Sequence, residues 1–273
     1  MSRREQMLSE MGIKPLWHLR DAQQASCEVT PAVEPEAAFV PPPEPVRVHE
    51  APAPVVSPHV VASHPDAPKD AAPAQPVRAP ADSPVVQMGW NELRQAVADC
   101  QACGLCKARK QAVLGVGDEQ ADWLFVGEGP GAEEDERGEP FVGQAGKLLD
   151  AMLASIGLAR GKSVYIANAV KCRPPGNRTP EAHEIAACHP FLERQIELIK
   201  PRLIVALGRP AAQTLLEREI KIGAARGQTF DRRGIPVIVT YHPAYLLRNL
   251  EDKAKAWQDL CFALDQMQKR SGS

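Results

Sequence analysis

The sequence predicts an α/β fold with three layers, α/β/α, around a central four-stranded parallel sheet, preceded by a long disordered Pro/Ala-rich N-terminal region. Two observations lead to this fold class. From residue 87 onward, short apolar runs rich in Val and Ile alternate with helical patterns, which is typical of parallel strands with helices on both faces. Before residue 87, Pro and Ala dominate and large apolar side chains are scarce, so that region lacks the material for a core.

The strands are predicted where apolar runs are short and unbroken. They are residues 123–126, 164–167, 203–206 and 237–240. Helical patterns occur at residues 93–102, 146–156, 181–199, 209–218 and 252–268. The strands are followed in turn by the loops GEGPG, NAVKCRPPGNR, LGRPAA and YHPAYLLRN. Because ligands of open α/β sheets bind at the carboxyl ends of the strands, we expect these four loops to converge on one site.

The N-terminal third divides into two parts before the folded domain, which we place at residues 87–273. Residues 25–86 are interpreted as a disordered linker, because residues 31–86 hold 15 of the 26 prolines and such a stretch forms neither helix nor sheet. Residues 1–24 carry a few apolar side chains. They fit either a frayed terminus or a peptide that docks on a repair or replication protein.

Composition excludes several classes of protein. The formal net charge is −2, so no global basic field indicates nucleic acid binding. No apolar run approaches the roughly 20 residues that span a bilayer, and the first residues lack the pattern of a signal peptide. We therefore expect a cytoplasmic protein without membrane contact. In that compartment the seven cysteines are better interpreted as metal ligands or redox groups than as disulfides.

Five of the cysteines fall in two clusters. The segment DCQACGLCKARK holds Cys100, Cys103 and Cys106, and the segment from residue 170 to 190 holds Cys172 and Cys188. A C-x2-C pair with two distant cysteines fits a four-thiolate site for zinc or for an iron–sulfur cluster. Spacing alone does not choose four ligands among the five. Cys27 and Cys261 are interpreted as non-ligands.

Several blocks occur in a specific order: C-x2-C, then VGEGPGAEEDERGEPFVGQAGKLL, YIANAVKCRPPGNRTP, a further Cys, IVALG and HPAYLLR. Together they resemble the iron–sulfur, or family 4, members of the uracil-DNA glycosylase superfamily, from about residue 93 to about residue 248. The resemblance implies an enzyme of base excision repair that flips uracil out of DNA and hydrolyses its N-glycosidic bond. It also implies a [4Fe–4S] cluster held by Cys100, Cys103, Cys172 and Cys188, with Cys106 as a spare thiol.

The same resemblance assigns the uracil pocket. Gly127 and Gly129 let the backbone approach the flipped base, Phe141 stacks on it, and the Asn168 amide recognises its edge. His242 stabilises the charge that develops on the leaving base. Without the family, these last three residues would be a core Phe, a turn-forming Asn and a loop His.

The water-activating base is the least defined part of the site. Some members of the superfamily carry Asp or Asn where this chain has Gly129. Glu128 is assigned to positioning the water or acting as the base, and Glu134 to lining the pocket near C5 of the base, where it would exclude the methyl group of thymine. Because bond cleavage is largely dissociative, positioning and anion stabilisation can carry most of the rate.

The remaining assignments concern DNA. Arg173 and Arg178 flank the cluster loop, Leu246 is a candidate wedge together with its neighbour Leu247, and Arg248 is a candidate phosphate contact. The motifs offer no lysine for a Schiff base and lack the basic insertion of a covalently binding subgroup, so we expect a monofunctional enzyme. The rival hypothesis is a non-catalytic module that attaches repair proteins to DNA. A nucleotide-binding Rossmann enzyme is disfavoured, because GEGPG lacks G-x-G-x-x-G spacing and its loop is acidic.

Overall fold

A computed structural model of the protein describes residues 84–271. The predicted segment 1–24 and nearly all of the predicted linker 25–86 lie outside the described residues, so the expected partner peptide does as well. The first described element is a short 3₁₀ turn, Pro84–Gln87. The predicted domain start at residue 87 falls at the end of this turn.

The strands of the described part form one six-stranded sheet in the order β1-β3-β2-β4-β6-β5. Their bounds are Val116–Gly117 (β1), Trp123–Gly127 (β2), Val164–Asn168 (β3), Leu203–Leu207 (β4), Thr229–Arg232 (β5) and Ile235–Thr240 (β6). The four central strands, β3, β2, β4 and β6, are parallel, as predicted.

The predicted number of strands was wrong, because β1 and β5 add an antiparallel strand at each edge. Neither gives a strong signal in the sequence. Strand β1 is only two residues long. Strand β5 reads TFDR, with two exposed residues, one partly buried residue and one buried arginine, so it lacks the apolar run that marks the central strands.

The helices lie before, between and after these strands. They are α1 (Trp90–Ala98), α2 (Ala132–Arg137), α3 (Gln144–Ser155), α4 (Ala182–Ile199), α5 (Arg209–Leu216), α6 (Ile222–Ala225), α7 (Pro243–Leu246) and α8 (Lys253–Ser271). Among the helices of residues 84–271, none combines the length and the apolar character that crossing a bilayer requires.

The core has two layers, one on each face of the sheet. On one face, Leu124 and Ala206 pack with Leu192 of α4 and Leu215 of α5. On the other face, alternate residues of the same strands pack against α3 and α8, as Phe125 does with Leu149 and Leu260. The central strands are therefore buried on both faces, which explains why they appear as unbroken apolar runs. The predicted three-layer α/β/α architecture is confirmed.

Strand register brings the ends of the central strands together. Gly127, the last residue of β2, is paired with Asn168, the last residue of β3. Leu207 and Thr240 end β4 and β6 and are paired in the same way. The loops that follow all four strands therefore start at one edge of the sheet, where a ligand site is expected.

Candidate active site and cysteine cluster

A cavity of about 500 Å³ opens at this edge of the sheet, within the usual size range of small-molecule sites. The loops after β2, β3 and β6 line it. Among the lining residues are Glu128, Gly129, Glu134, Phe141, Asn168, Arg178, His242 and Arg248. The predicted convergence is thus observed for three of the four loops. The fourth loop, after β4, supports the site from behind: a Cβ on Gly208 would lie 3.0 Å from Cβ of His242.

Phe141, Asn168 and His242 meet in this cavity. The Phe141 ring lies 5.5 Å from the His242 imidazole, centroid to centroid. Gly127 does not line the cavity but lies behind the other two residues, since a Cβ at that position would be 2.4 Å from Oδ1 of Asn168 and 2.6 Å from Cζ of Phe141. The glycine is needed because any side chain there would push the ring and the amide apart.

Asn168 ends β3 and is almost fully buried, with 2% of its surface exposed. Its Oδ1 has no hydrogen-bond partner among the described residues. Buried polar atoms in folded proteins are almost always paired, and an unpaired one calls for an explanation such as a ligand. Oδ1 of Asn168 is therefore an acceptor held ready for a donor that enters the cavity.

His242 is the N-cap of α7, and its Nδ1 accepts a hydrogen bond from the backbone N–H of Ala244 at 3.1 Å. Burial, the largest cause, and the positive charge of Arg248 together lower the pKa of His242 to about 4, with Glu134 opposing both. The imidazole is therefore neutral at neutral pH. Because Nδ1 accepts, the proton lies on Nε2, which makes Nε2 a hydrogen-bond donor.

The acidic loop contains a helix that the sequence pattern did not predict. Helix α2 begins after Gly131 and ends at Gly138, which has a φ of +74°. Glu134 caps its N-terminus, with Oε2 accepting from the N–H of Gly131 at 3.0 Å. Its Oε1 accepts from the N–H groups of Val142 and Gly143 at 2.9 and 3.1 Å. An acid three residues after the cap was the signal for this helix.

Glu128 and Gly129 form the wall next to β3. Burial raises the pKa of Glu128 above its usual value, while a hydrogen bond with Thr179 and the charge of Arg209 lower it. A Cβ on Gly129 would lie 2.7 Å from Cγ2 of Val170, so this glycine allows the loop to pack on the segment after β3. A carboxyl group with a raised pKa in a cavity is a candidate general base.

The three arginines assigned to DNA contact differ in how many hydrogen bonds their side chains make within the protein. Arg248 lines the cavity, is exposed and makes no side-chain hydrogen bond within residues 84–271. Nε of Arg173 donates to Oδ1 of Asn177 at 2.7 Å. Arg178 lines the cavity too, but its guanidinium donates to both carboxylate oxygens of Glu184 at 2.7 and 2.8 Å. Much of the hydrogen-bonding capacity of Arg178 is therefore used within the protein.

The assignment of Leu246 to DNA contact is corrected by its burial. Only 1% of Leu246 is exposed, whereas 41% of its neighbour Leu247 is. Leu246 is the last residue of α7 and Leu247 follows it as the C-cap, and of the two Leu246 faces the protein interior. A side chain packed in this way cannot enter a duplex, so Leu247 is the residue of the pair that faces outward.

The cysteines of the two clusters meet beside the loop after β3. Cys103 packs against the buried cluster that contains Cys172 and Cys188, and the charge of Cys100 influences the pKa of Cys172. Burial raises the pKa of Cys188 to about 12, opposed by the backbone N–H of Lys171. Within residues 84–271, no three His, Cys, Asp or Glu side chains surround a point closely enough to hold a single metal ion.

Two basic residues near the cysteines were missed by sequence reasoning. Nη1 of Arg109 donates to Sγ of Cys172 at 2.8 Å. Lys171 is 1% exposed, and its Nζ donates to the backbone oxygen of Asn168 at 2.8 Å and to Oε1 of Gln195. A buried lysine between the cysteines and Asn168 gives no distinct signal in the sequence, because lysines are usually exposed.

Comparison with known proteins agrees with this geometry. The family model of the uracil DNA glycosylase superfamily matches residues 114–261. A type-4 uracil-DNA glycosylase of Pyrobaculum aerophilum is 44% identical over 181 residues, which cover 63% of this chain and 92% of that protein.

Two further relatives, one of type 4 and one of type 5, indicate the subgroup within the superfamily. A type-4 uracil-DNA glycosylase of Thermotoga maritima is 47% identical over 163 residues, covering 59% of this chain and 84% of the relative. A type-5 uracil-DNA glycosylase of Pyrobaculum aerophilum is 34% identical over 146 residues, covering 48% and 64%. The chain belongs to the uracil-DNA glycosylase superfamily and, within it, to the type-4 uracil-DNA glycosylases.

Proposed function

We propose that this uracil-DNA glycosylase binds a flipped uracil in the cavity between Phe141, Asn168 and His242 and hydrolyses its N-glycosidic bond, releasing uracil and leaving an abasic site. The observation that carries this proposal is the unpartnered Oδ1 of Asn168, buried beside an aromatic ring in a cavity large enough for a base. A base that brings a donor to this oxygen relieves the cost of burying it alone.

Uracil has the edge that the Asn168 amide requires. Oδ1 accepts from N3–H of uracil, and Nδ2 donates to O4. Cytosine has no hydrogen on N3 and carries an amino group at position 4, so both contacts would be lost. The Phe141 ring offers the flat surface on which a flipped base stacks.

His242 acts on the leaving group. As the glycosidic bond breaks, negative charge collects on O2 of uracil, and a donor already aimed at that atom stabilises the charge without reorganisation. The neutral Nε2–H tautomer supplies such a donor, since the N–H of Ala244 occupies Nδ1. The low pKa of His242 means that it donates a hydrogen bond and does not serve as a full acid at neutral pH.

Glu128 is the proposed base for water, and Glu134 has a different role from the one the sequence suggested. Burial and the raised pKa of Glu128 favour a group that accepts a proton from water near the sugar.

All three hydrogen bonds of Glu134 go to backbone N–H groups. We therefore propose that Glu134 excludes the thymine methyl indirectly, by fixing the loop that forms the wall.

On the DNA side, Arg248 is proposed to contact phosphate and Leu247 to enter the stack where the base has left. Arg173 and Arg178 add positive charge at the rim. Because no lysine is among the cavity-lining residues of the described chain, and Lys171 is buried in its own hydrogen bonds, we propose that the enzyme is monofunctional and leaves the strand intact.

Cys100, Cys103, Cys172 and Cys188 are proposed to hold a [4Fe–4S] cluster. The donor set fits, since Cys100 and Cys103 lie close enough to act on the pKa of Cys172, as Cys103 does on that of Cys188. N–H donors are directed at Cys172 and Cys188. These cysteines would supply the thiolate ligands that hold such a cluster. When bound, the group would tie the segment before β1 to the loop after β3.

An assay with labelled oligonucleotides tests the function. The purified full-length protein is incubated with single-stranded and duplex DNA that carries one uracil, and then with alkali. Breakage at uracil only after alkali, and none with cytosine or thymine at that position, is expected. Breakage before alkali would contradict the monofunctional proposal. Binding without turnover would show a DNA-binding module instead.

A further inference from the structure

The segment Pro-Phe-Val-Gly at residues 140–143 carries Phe141 in an unusual backbone conformation. Phe141 has a φ of +55°, a region that bulky residues rarely adopt. Such a conformation persists only where the surroundings impose it, and it concentrates at functional sites. The ring of this residue lies beside Gly127 and His242.

This segment is held from both sides by opposite charges. On the amide side, the Glu134 carboxylate accepts from the N–H groups of residues 142 and 143. On the carbonyl side, the guanidinium of Arg160 donates from Nη1 to the oxygen of Pro140 at 2.9 Å and from Nη2 to the oxygen of Phe141. Nε of Arg160 donates to Asp150, so each nitrogen of the fork has its own acceptor.

Helix α3 adds the third constraint. A Cβ on Gly146 would lie 1.7 Å from the backbone oxygen of Phe141, so the carbonyl fits against the helix only because residue 146 has no side chain. Arg160 reaches that same oxygen from the turn after α3, and Asp150 reaches Arg160 from within the helix. The carbonyl of Phe141 therefore cannot turn without losing a charged hydrogen bond.

We infer that Arg160, oriented by Asp150, is a positioning residue that fixes the Phe141 ring for stacking on the flipped base. The inference rests on the proposed stacking role of Phe141. Arg160 is not among the residues that line the cavity, and its effect passes through the backbone of residues 140 and 141. A ring that is already in place spares the site the cost of ordering it when the base arrives.

Single-turnover excision from a single-stranded uracil oligonucleotide tests the inference with four full-length proteins: wild type, Arg160→Ala, Phe141→Ala and the double variant. We expect Arg160→Ala to lower the rate about tenfold to a hundredfold, as misplacement of a positioning group does. In the Phe141→Ala background the same change should have almost no effect, because the ring through which Arg160 acts is gone. Arg160→Lys should recover little, since an ammonium cannot reproduce the planar fork.

The controls separate positioning from general damage. Arg218→Ala removes an exposed arginine that lies over Phe230 outside the cavity, and it should keep the wild-type rate. Cluster absorbance and melting temperature are measured for every variant. If Arg160→Ala does not fold, Asp150→Ala, which leaves the guanidinium in place, is combined with Phe141→Ala in the same way and should show a smaller loss with the same coupling.

Three different results would overturn the inference. If Phe141→Ala is slow but the loss from Arg160→Ala multiplies with it, Arg160 acts elsewhere, and the stacking role stands. If Phe141→Ala excises uracil at the wild-type rate, the stacking role fails and the inference fails with it. Full recovery by Arg160→Lys would mean that charge alone matters, which also contradicts positioning.

Discussion

The Phe141 ring and the His242 imidazole lie 5.5 Å apart and are tilted by 31° to each other, although one precedes β3 and the other follows β6. The parallel strands bring them together, because both loops leave the same edge of the sheet. A base that stacks on Phe141 therefore has a hydrogen-bond donor beside it. This arrangement is what turns separate sequence blocks into one site.

The pH dependence of the excision rate should report the protonation of Glu128, the proposed base. A base must be deprotonated, so the rate should rise with pH through the raised pKa of Glu128, with a midpoint above the usual glutamate value of 4.5. In Glu128→Gln the rate should be lower, and its rise with pH through the pKa of Glu128 should be absent. Its remaining decline should move towards about pH 4, where His242 gains a proton and no longer accepts from Ala244. Single-turnover rates measured from below pH 4 up to pH 8 give both profiles. The same acid limb in both proteins would exclude Glu128 as the base.

Asn168→Leu should separate stability from activity. The leucine has nearly the shape of asparagine and removes an acceptor that is buried without a partner, so the free energy of unfolding should stay within about 1 kcal/mol of wild type or increase. Excision should fall by a factor of about 10⁴, as when a site loses its polar recognition group. Urea denaturation and the oligonucleotide assay measure the two quantities. A large loss of stability would indicate that Oδ1 is satisfied in the free protein.

Glu134→Gln should loosen the acidic loop. One of the two oxygens becomes an NH₂ group, which meets backbone N–H donors where the carboxylate had accepted them. We expect a loss of about 1–3 kcal/mol in the free energy of unfolding and a slower excision step. Glu139→Gln is the matched control, because that residue is exposed in the same loop and should behave as wild type. Equal behaviour of the two variants would refute the proposed role of Glu134 in holding the loop.

How much could be predicted from the sequence depends on where the signal lies. The four central strands are buried on both faces, so their apolar runs are unmistakable. The roles of Asn168 and His242 came from the family resemblance, because a position after such a strand indicates by itself only a turn-forming Asn and a loop His. Helix α2 was missed because six mostly charged residues between Gly131 and Gly138 resemble a loop. The roles of Glu134 and Arg160 depend on backbone atoms of a segment distant in sequence, which no local pattern encodes.

The choice between Leu246 and Leu247 shows the same limit. Adjacent residues on one helical turn face different directions, and only the packing of α7 decides which of them is buried. We expect Leu246→Ala to lower the free energy of unfolding by about 2–5 kcal/mol, as truncation of a buried leucine does. Leu247→Ala should leave stability unchanged and slow excision from duplex DNA more than from single strands, because only a duplex must be opened. Equal losses on both substrates would contradict a wedge at Leu247.

Substitution of a proposed cluster ligand should have a different effect from substitution of the proposed spare thiol. Cys172 is buried and accepts from Arg109, so Cys172→Ser should abolish the broad absorbance at about 400 nm that an iron–sulfur protein shows. Cys106→Ser should keep that absorbance and its iron content, because Cys106 is the proposed spare thiol.

Activity should follow the cluster for a structural reason. Beyond the strands, the N–H groups of Ala169 and Val170 still bond to the oxygens of Gly127 and Glu128 at 2.9 and 3.1 Å, so the chain that leads to Cys172 also forms the wall of the cavity. Loss of the cluster should therefore slow excision as this wall loosens. Absorbance, iron analysis and the oligonucleotide assay on the same preparations test this. Colourless but fully active Cys172→Ser would break the link between cluster and cavity, and colourless Cys106→Ser would overturn the ligand set.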